Sequence, residues 1–245
     1  GVLGVRQRHQ RHVQMQHQAF VGEVRCLFFR PWTGSSPMLH TTRAVVLKTI
    51  RHGDGTVVLK ALTEALGVRS FLVRVGKRGG IAAGALQALN RIELVAQETP
   101  ERELLTVREL RVAEPYTQVP YDAIRGAVAL FVQEVLYRTL RGEVADVGLF
   151  GFVQHALKAL DEVPDLRNYP LVFLVRYGDE LGFLPSEPLP GEDHFDLLEG
   201  EFVVGAVNHG HTMGPSLSSA LADLLPIGFD QMHLLSLVPS LRRDL

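Results

Sequence analysis

Between Leu39 and Arg111, apolar and polar residues alternate with a period of two, the spacing of half-buried strands. Leu39–Ile50, rich in Thr and Val, predicts a first strand, and Arg51-His52-Gly53-Asp54-Gly55 a turn after it. Thr56–Thr63 predicts a second strand. Gly67 breaks the chain. Val68–Val75 then alternates, with Phe71, Val73 and Val75 on one face and Ser70, Leu72 and Arg74 on the other. Gly76–Gly80 is a flexible basic loop. Leu86–Gln97 and Glu103–Leu110 predict two further strands, joined by a polar turn around Pro100. Five short strands within about 75 residues fit a small Greek-key barrel of the OB type, with an SH3-like barrel as the alternative on pattern alone.

After Pro115 the period changes to that of a helix. Tyr121–Leu140 places Ile124, Val128, Phe131, Val135 and Leu136 at helical spacing. Asp146 is placed to cap a helix running to about Leu160, with Phe150, Val153, Leu157 and Leu160 inward. Asn168 is placed to cap a third, with Pro170 in its first turn and Gly182 past its end. Residues 183–212 read as an irregular excursion in which Phe195–Phe202 forms a hairpin. Short helices at Ser216–Leu225 and Asp230–Val238 complete the pattern. The expected fold class is α+β: an N-terminal five-stranded OB-type barrel over 38–112 and a helical domain over 113–245. Residues 1–37 are a low-complexity mix of Gln, His and Arg followed by loop chemistry. They read as an extension that is disordered or not native, with Met38 as the expected start and a basic targeting peptide as the rival.

Composition narrows the class. Hydrophobic residues make up 46% and charged residues 21%, values of a globular chain. No apolar run approaches the length of a membrane span, so the expectation is a soluble, cytoplasmic protein without membrane contact. The one cysteine, Cys26, excludes an internal disulfide framework and a multi-cysteine zinc site. The net charge of −2 conceals an asymmetry: the predicted barrel is basic and the helical region strongly acidic. Such a division suits different partners for the two halves.

Catalytic constellations are missing: there is no Gly-x-Ser-x-Gly elbow, no phosphate-binding loop ending in Lys-Ser/Thr and no His-Glu-x-x-His. His194, Asp196, His209 and His211 are metal-capable but lie in a loop without cysteine partners, so neither metal nor cofactor is expected, and the chain does not read as an enzyme. The basic residues of the barrel are more telling. Arg43, Lys48, Arg51, Lys60, Arg69, Arg74, Lys77, Arg78 and Arg91 lie on predicted strands or loops and are the candidate DNA-binding residues. An OB barrel binds single strands on one open face through phosphate contacts and base stacking. Phe71 is the only aromatic between Leu39 and Arg111, and its alternation points inward, so stacking platforms are scarce and binding should be mainly electrostatic.

The segment Met38–Thr49 resembles the first strand of RecO proteins. The likeness continues through Leu59, Leu62-Thr63-Glu64 and Gly67, the Gly76-Lys77-Arg78 loop, Ala85-Leu86-Gln87 and Arg108-Glu109-Leu110. It then runs through Ala129-Leu130-Phe131, Glu134-Val135-Leu136-Tyr137, Leu149-Phe150 and His155-Ala156-Leu157. It spans about Met38 to Gly205 and rests on order and spacing rather than on any one motif. The resemblance implies a DNA repair and recombination mediator of the RecF/RecR-linked pathway. Such a protein binds single- and double-stranded DNA, anneals strands and helps load RecA onto DNA coated by single-strand-binding protein, with RecR as a partner. Many members carry a cysteine-bound zinc module; its cysteines are absent from 183–212 here, so the chain resembles a zinc-less branch. The family also grips the acidic, Phe-ended tail of single-strand-binding protein. Leu136, Arg138, Leu140 and Arg141 offer cations beside apolar groups for that role, the other reading being that both arginines serve the helix end. The rival functions are an OB-fold RNA-binding accessory factor and a protein-interaction scaffold.

Overall fold

The computed structural model describes residues 38–76, 80–98, 104–142 and 144–245; the readings made above for residues 1–37, Lys77 and Arg78 lie outside them. Five strands come first: β1 (Met38–Gly53), β2 (Thr56–Thr63), β3 (Gly67–Arg74), β4 (Arg91–Glu98) and β5 (Leu105–Glu114). The long β1 pairs antiparallel with β4 through its first half and with β2 through its second. β4 pairs with β5, and β5 runs parallel to β3, which closes a barrel in the order β1-β2-β3-β5-β4. The closing seam is short, joining Phe71 to Leu105 and Leu72 to Thr106.

Period-two alternation sets the barrel interior. Ala44, Val46, Leu59, Ala61, Phe71, Val73, Ile92 and Leu94 all lie buried within it. β2 has the bounds the sequence predicted. β4 does not: it begins at Arg91 rather than Leu86, because Ala83–Leu86 winds into a single 3-10 turn and Leu89 takes a positive φ of 64°. The turn is held against the barrel mouth by Thr49 Oγ1, which donates to the Leu86 carbonyl at 2.9 Å.

The helical half consists of α1 (Ala123–Thr139), α2 (Val147–Glu162), α3 (Tyr169–Glu180), α4 (Pro215–Leu224) and α5 (Pro239–Asp244). Asp146 caps α2 as expected, accepting from the Leu149 amide at 2.9 Å, and Phe150, Val153, Leu157 and Leu160 are all buried. Asp122 caps α1 through the amides of Ile124 and Arg125. On α1, Leu136 is buried and Val128, Phe131 and Val135 pack partly buried against the core, as the spacing predicted, but the first turn departs from it. Ile124 is 69% exposed, while Arg125, Val132 and Leu136 point inward. Asn168 precedes α3 but does not cap it. Its amide instead donates to the carbonyls of Met232 and Leu235 and its oxygen accepts from Arg242, which ties the C-terminal segment down. The helix predicted over Asp230–Val238 is only a 3-10 turn at Met232–Leu234, and α5 starts beyond it with Pro239 at its first position. Within the excursion, β6 (His194–Asp196) pairs with β7 (Glu201–Val203) in the predicted hairpin, and with β8 (Thr212–Met213).

Barrel and helices share one core. Val45, Leu47, Leu62 and Val68, on the outside of the barrel, are buried in the same cluster as Leu136, Phe150, Val153 and Phe173. Burying each such side chain is worth ~2 kcal/mol, so the contact is a substantial part of the fold's stability. Tyr169, Phe173 and Tyr177 stack along α3, with Phe152 and Phe229 against them. Two buried charges lock the junction. Asp161 accepts from the amides of Thr117, Gln118 and Val119 and from the Thr117 hydroxyl, all within 3.0 Å, fixing the link that enters α1. Burial opposes ionisation of that carboxyl, but the donated amides outweigh it and hold the group below the ordinary aspartate range. Arg125 donates to the carbonyls of Leu160 and Val163 at the C-terminal end of α2, where the helix dipole favours a cation.

Candidate nucleic-acid interface

Strand register arranges the outer face of β1–β2–β3 in rows. Val45, Leu62 and Val68 form one row, roofed by the helices. Lys48, Lys60 and Ser70 form the next, at the edge of that roof. Ile50, Val58 and Leu72 form a third, open to solvent, with Ile50 50% exposed. Arg74, opposite Thr56, lies beyond it, and Arg51 stands exposed at the end of β1. Among the described residues no carboxylate forms an ion pair with Lys48, Arg51, Lys60 or Arg74. This is a face of cations separated by an apolar strip. A polyanion with flat apolar bases matches both parts of it.

The other barrel cations are already committed. Arg43 donates to Glu64 through Nε at 2.9 Å and through its second nitrogen, and its guanidinium lies 5.6 Å from the Phe150 ring centroid. The Arg43 hydrogen bond holds the Glu64 carboxyl below its ordinary value despite some loss of solvent, so the pair is ionised at neutral pH. On β4 and β5, Arg111 pairs with Glu93 and Arg108 donates to Gln97. Arg91 must be removed from the DNA-binding set. It is 6% exposed, ion-paired to Glu114 at 2.6 Å and stacked 5.0 Å over the Tyr116 ring, so it holds the end of the barrel together. Arg69 is half-buried and already engaged in an interaction of its own. The structure thus brings Lys48 and Lys60 together with Arg74 on the same outer face, sets Arg51 in register with Val57 and Val73 of the inward-facing row, and diverts Arg43 and Arg91.

The aromatic missing from the barrel is supplied by α1. Tyr137 places its ring 4.4 Å from the Lys48 ammonium and 5.1 Å from that of Lys60. Nothing in the barrel's own periodicity revealed this residue, because the partner comes from a helix far along the chain.

The predicted partner site is corrected in part. Leu136 is fully buried and Leu140 is 3% exposed, so both are core rather than contact surface. Arg138 pairs with Glu134 one turn back, and Arg141 donates to the carbonyls of Tyr137 and Leu140, serving the end of α1. A groove does open beside Arg141, lined by Val68, Leu140, Val144, Leu149 and Leu181. In the excursion, His194 pairs with Asp193 at 2.7 Å and His209 with Asp196 at 3.2 Å. Among the described residues no three His, Cys, Asp or Glu side chains are gathered as metal ligands, and no helix is long and apolar enough to cross a membrane.

An OB-type barrel fused to a helical half defines a two-part α+β protein, and comparison with known proteins narrows the class. Residues 38–116 match the family model for the N-terminal part of recombination protein O, and residues 120–187 match that for its C-terminal part. The DNA repair protein RecO of Bacteroides fragilis is 33% identical over 202 residues, covering 80% of this chain and 84% of the relative. That of Phocaeicola vulgatus is 31% identical over 208 residues, covering 82% and 85%. That of Porphyromonas gingivalis is 30% identical over 215 residues, covering 84% and 88%. The chain belongs to the RecO family of DNA repair proteins. Its role is therefore in DNA repair and recombination, in a family of mediators rather than of known catalysts.

Proposed function

We propose that the chain binds single-stranded DNA, and double-stranded DNA by the same phosphate contacts, across the outer face of β1–β2–β3. It anneals complementary strands and, with RecR, helps load RecA onto DNA coated by single-strand-binding protein, in the cytoplasm at the nucleoid. It makes and breaks no covalent bond. The observation that carries this reading is the row of Lys48 and Lys60 with Arg74 beyond it, unpaired with any described carboxylate on a face otherwise open. Lys77 and Arg78, which lie outside the described residues, remain candidate DNA contacts. The acidic, Phe-ended tail of single-strand-binding protein fits the groove beside Arg141, where Val144 and Leu181 offer exposed apolar contact next to a cation.

The experiment is a titration of labelled single strands at several salt concentrations. Each phosphate neutralised adds about 0.7 to the slope of log affinity against log salt, so a slope of at least about 2 is expected. A flat profile would refute the electrostatic reading. Competition by RNA as strong as by DNA would favour an RNA-binding accessory role instead.

A further inference from the structure

Lys48 and Lys60 occupy directly opposite positions on antiparallel strands. Like charges so placed repel, and among the described residues no acid offsets them. What both ammonium groups share is the ring of Tyr137. Tyr137 is half-buried on α1, and its hydroxyl makes no hydrogen bond to a described residue. The ring's face has negative electrostatic character, so it is a weak substitute for an anion. The lysine pair it touches lies next in register to the apolar row of Ile50, Val58 and Leu72.

We infer that Lys48, Lys60 and Tyr137 form one nucleotide-binding subsite built from both halves of the molecule. It rests on the reading that the barrel face binds single-stranded DNA, and names the residues that hold one nucleotide of it. In the free protein the two ammonium groups lie over the ring. A phosphodiester is a stronger partner for an ammonium than an aromatic face is. When a strand crosses the sheet, the lysines turn to its phosphate and the ring they leave accepts the base. The exchange relieves the repulsion of the lysine pair and gives the strand the stacking platform that the barrel lacks. Because every base has a flat face, the subsite is indifferent to sequence.

Three measurements on the full chain test this. The first is irradiation of its complex with single strands carrying 5-iododeoxyuridine, followed by peptide mapping; the expected cross-link is at Tyr137. The second is the affinity of Tyr137→Leu, expected to fall about tenfold through loss of stacking while the salt slope stays unchanged, because no charge is lost. Tyr137→Phe, which keeps the ring, should bind as the parent does. The third is Lys48→Gln with Lys60→Gln, expected to weaken binding and to lower the salt slope by about 1.4. Cross-links confined to other residues, or full affinity in a folded Tyr137→Leu, would overturn the subsite while leaving the DNA-binding face standing. A parent chain that binds no single strand would overturn both. The cross-link is read on the unsubstituted protein, so it decides the matter even if the leucine variant fails to fold.

Discussion

Along β4 and β5, arginines meet acids or amides: Arg111 faces Glu93, Arg108 reaches Gln97 and Arg91 is locked to Glu114. Across β1–β2–β3, Lys48 faces Lys60 and Arg74 faces Thr56. Both regions are rich in cations, yet among the described residues only the second leaves a set of them, Lys48, Lys60 and Arg74, without an acid partner. A count of Lys and Arg therefore overstates the surface available to a polyanion. What distinguishes a binding cation from a structural one is the residue across the strand. An arginine beside a glutamate gains nothing from a phosphate until that pair is broken, whereas a lysine beside a lysine gains from the first anion to arrive.

This contrast holds that a compensated charge serves the fold. Its strongest case is Asp161, whose oxygens are fully engaged by the link into α1. Asp161→Ala leaves several buried amides without acceptors and should cost about 3 kcal/mol in chemical denaturation. Because the folded carboxyl titrates below its unfolded value, its contribution is fully present above about pH 4 and is lost as pH falls through the lower folded value. Unfolding curves for the parent and Asp161→Asn should therefore differ most near neutrality and converge in acid; a constant gap would contradict this.

The uncompensated face gives the next effect. Changing Lys48, Lys60 and Arg74 together to Gln should lower single-strand affinity by about 100-fold near 0.1 M salt and reduce the salt slope by about 2. Arg108→Gln with Arg111→Gln should change affinity by no more than about twofold in the same anisotropy titration. Equal losses from both sets would erase the distinction between the two regions. Arg91→Ala should cost about 2 kcal/mol of stability, through its ion pair and its stacking on Tyr116, while the folded fraction binds DNA as before. The smallest effect sharpens the contrast from the opposite side. Glu64→Gln releases Arg43, so affinity should rise about threefold and the salt slope by up to about 0.7; no gain would mean that Arg43 lies outside the strand's path.

The barrel was legible because its alternation is local. Phe71 and Val73 point inward as their spacing demands, and the bounds of β2 follow from the turn glycines on either side. The start of β4 was not, since Leu86 is as apolar as a strand residue and only its contact with Thr49 shows that the chain is still turning there. On α1, Ile124 was expected inward on spacing alone. The carbonyls at the end of α2 instead draw Arg125 inward, and no pattern within α1 reports that. The same limit applies to the site. The basic residues could be named from the sequence, but their sorting could not, because Arg91 meets Glu114 and Lys60 meets Tyr137 only once distant segments are packed together.

The seam between β3 and β5 has a consequence for motion. Each of the other strand pairs in the barrel is joined over seven or eight register positions, but these two share only a pair of them. The ring should breathe there first, and amide exchange at Leu72 and Thr106 should run ahead of that at the centre of β2. Phe71 is fully buried behind the seam, so opening exposes a large aromatic and stays brief. A groove lined by Leu72, Arg74, Ile81 and Arg108 runs along it. The barrel is least tied down at this seam, and that is where the closed ring can turn momentarily into a curved open sheet.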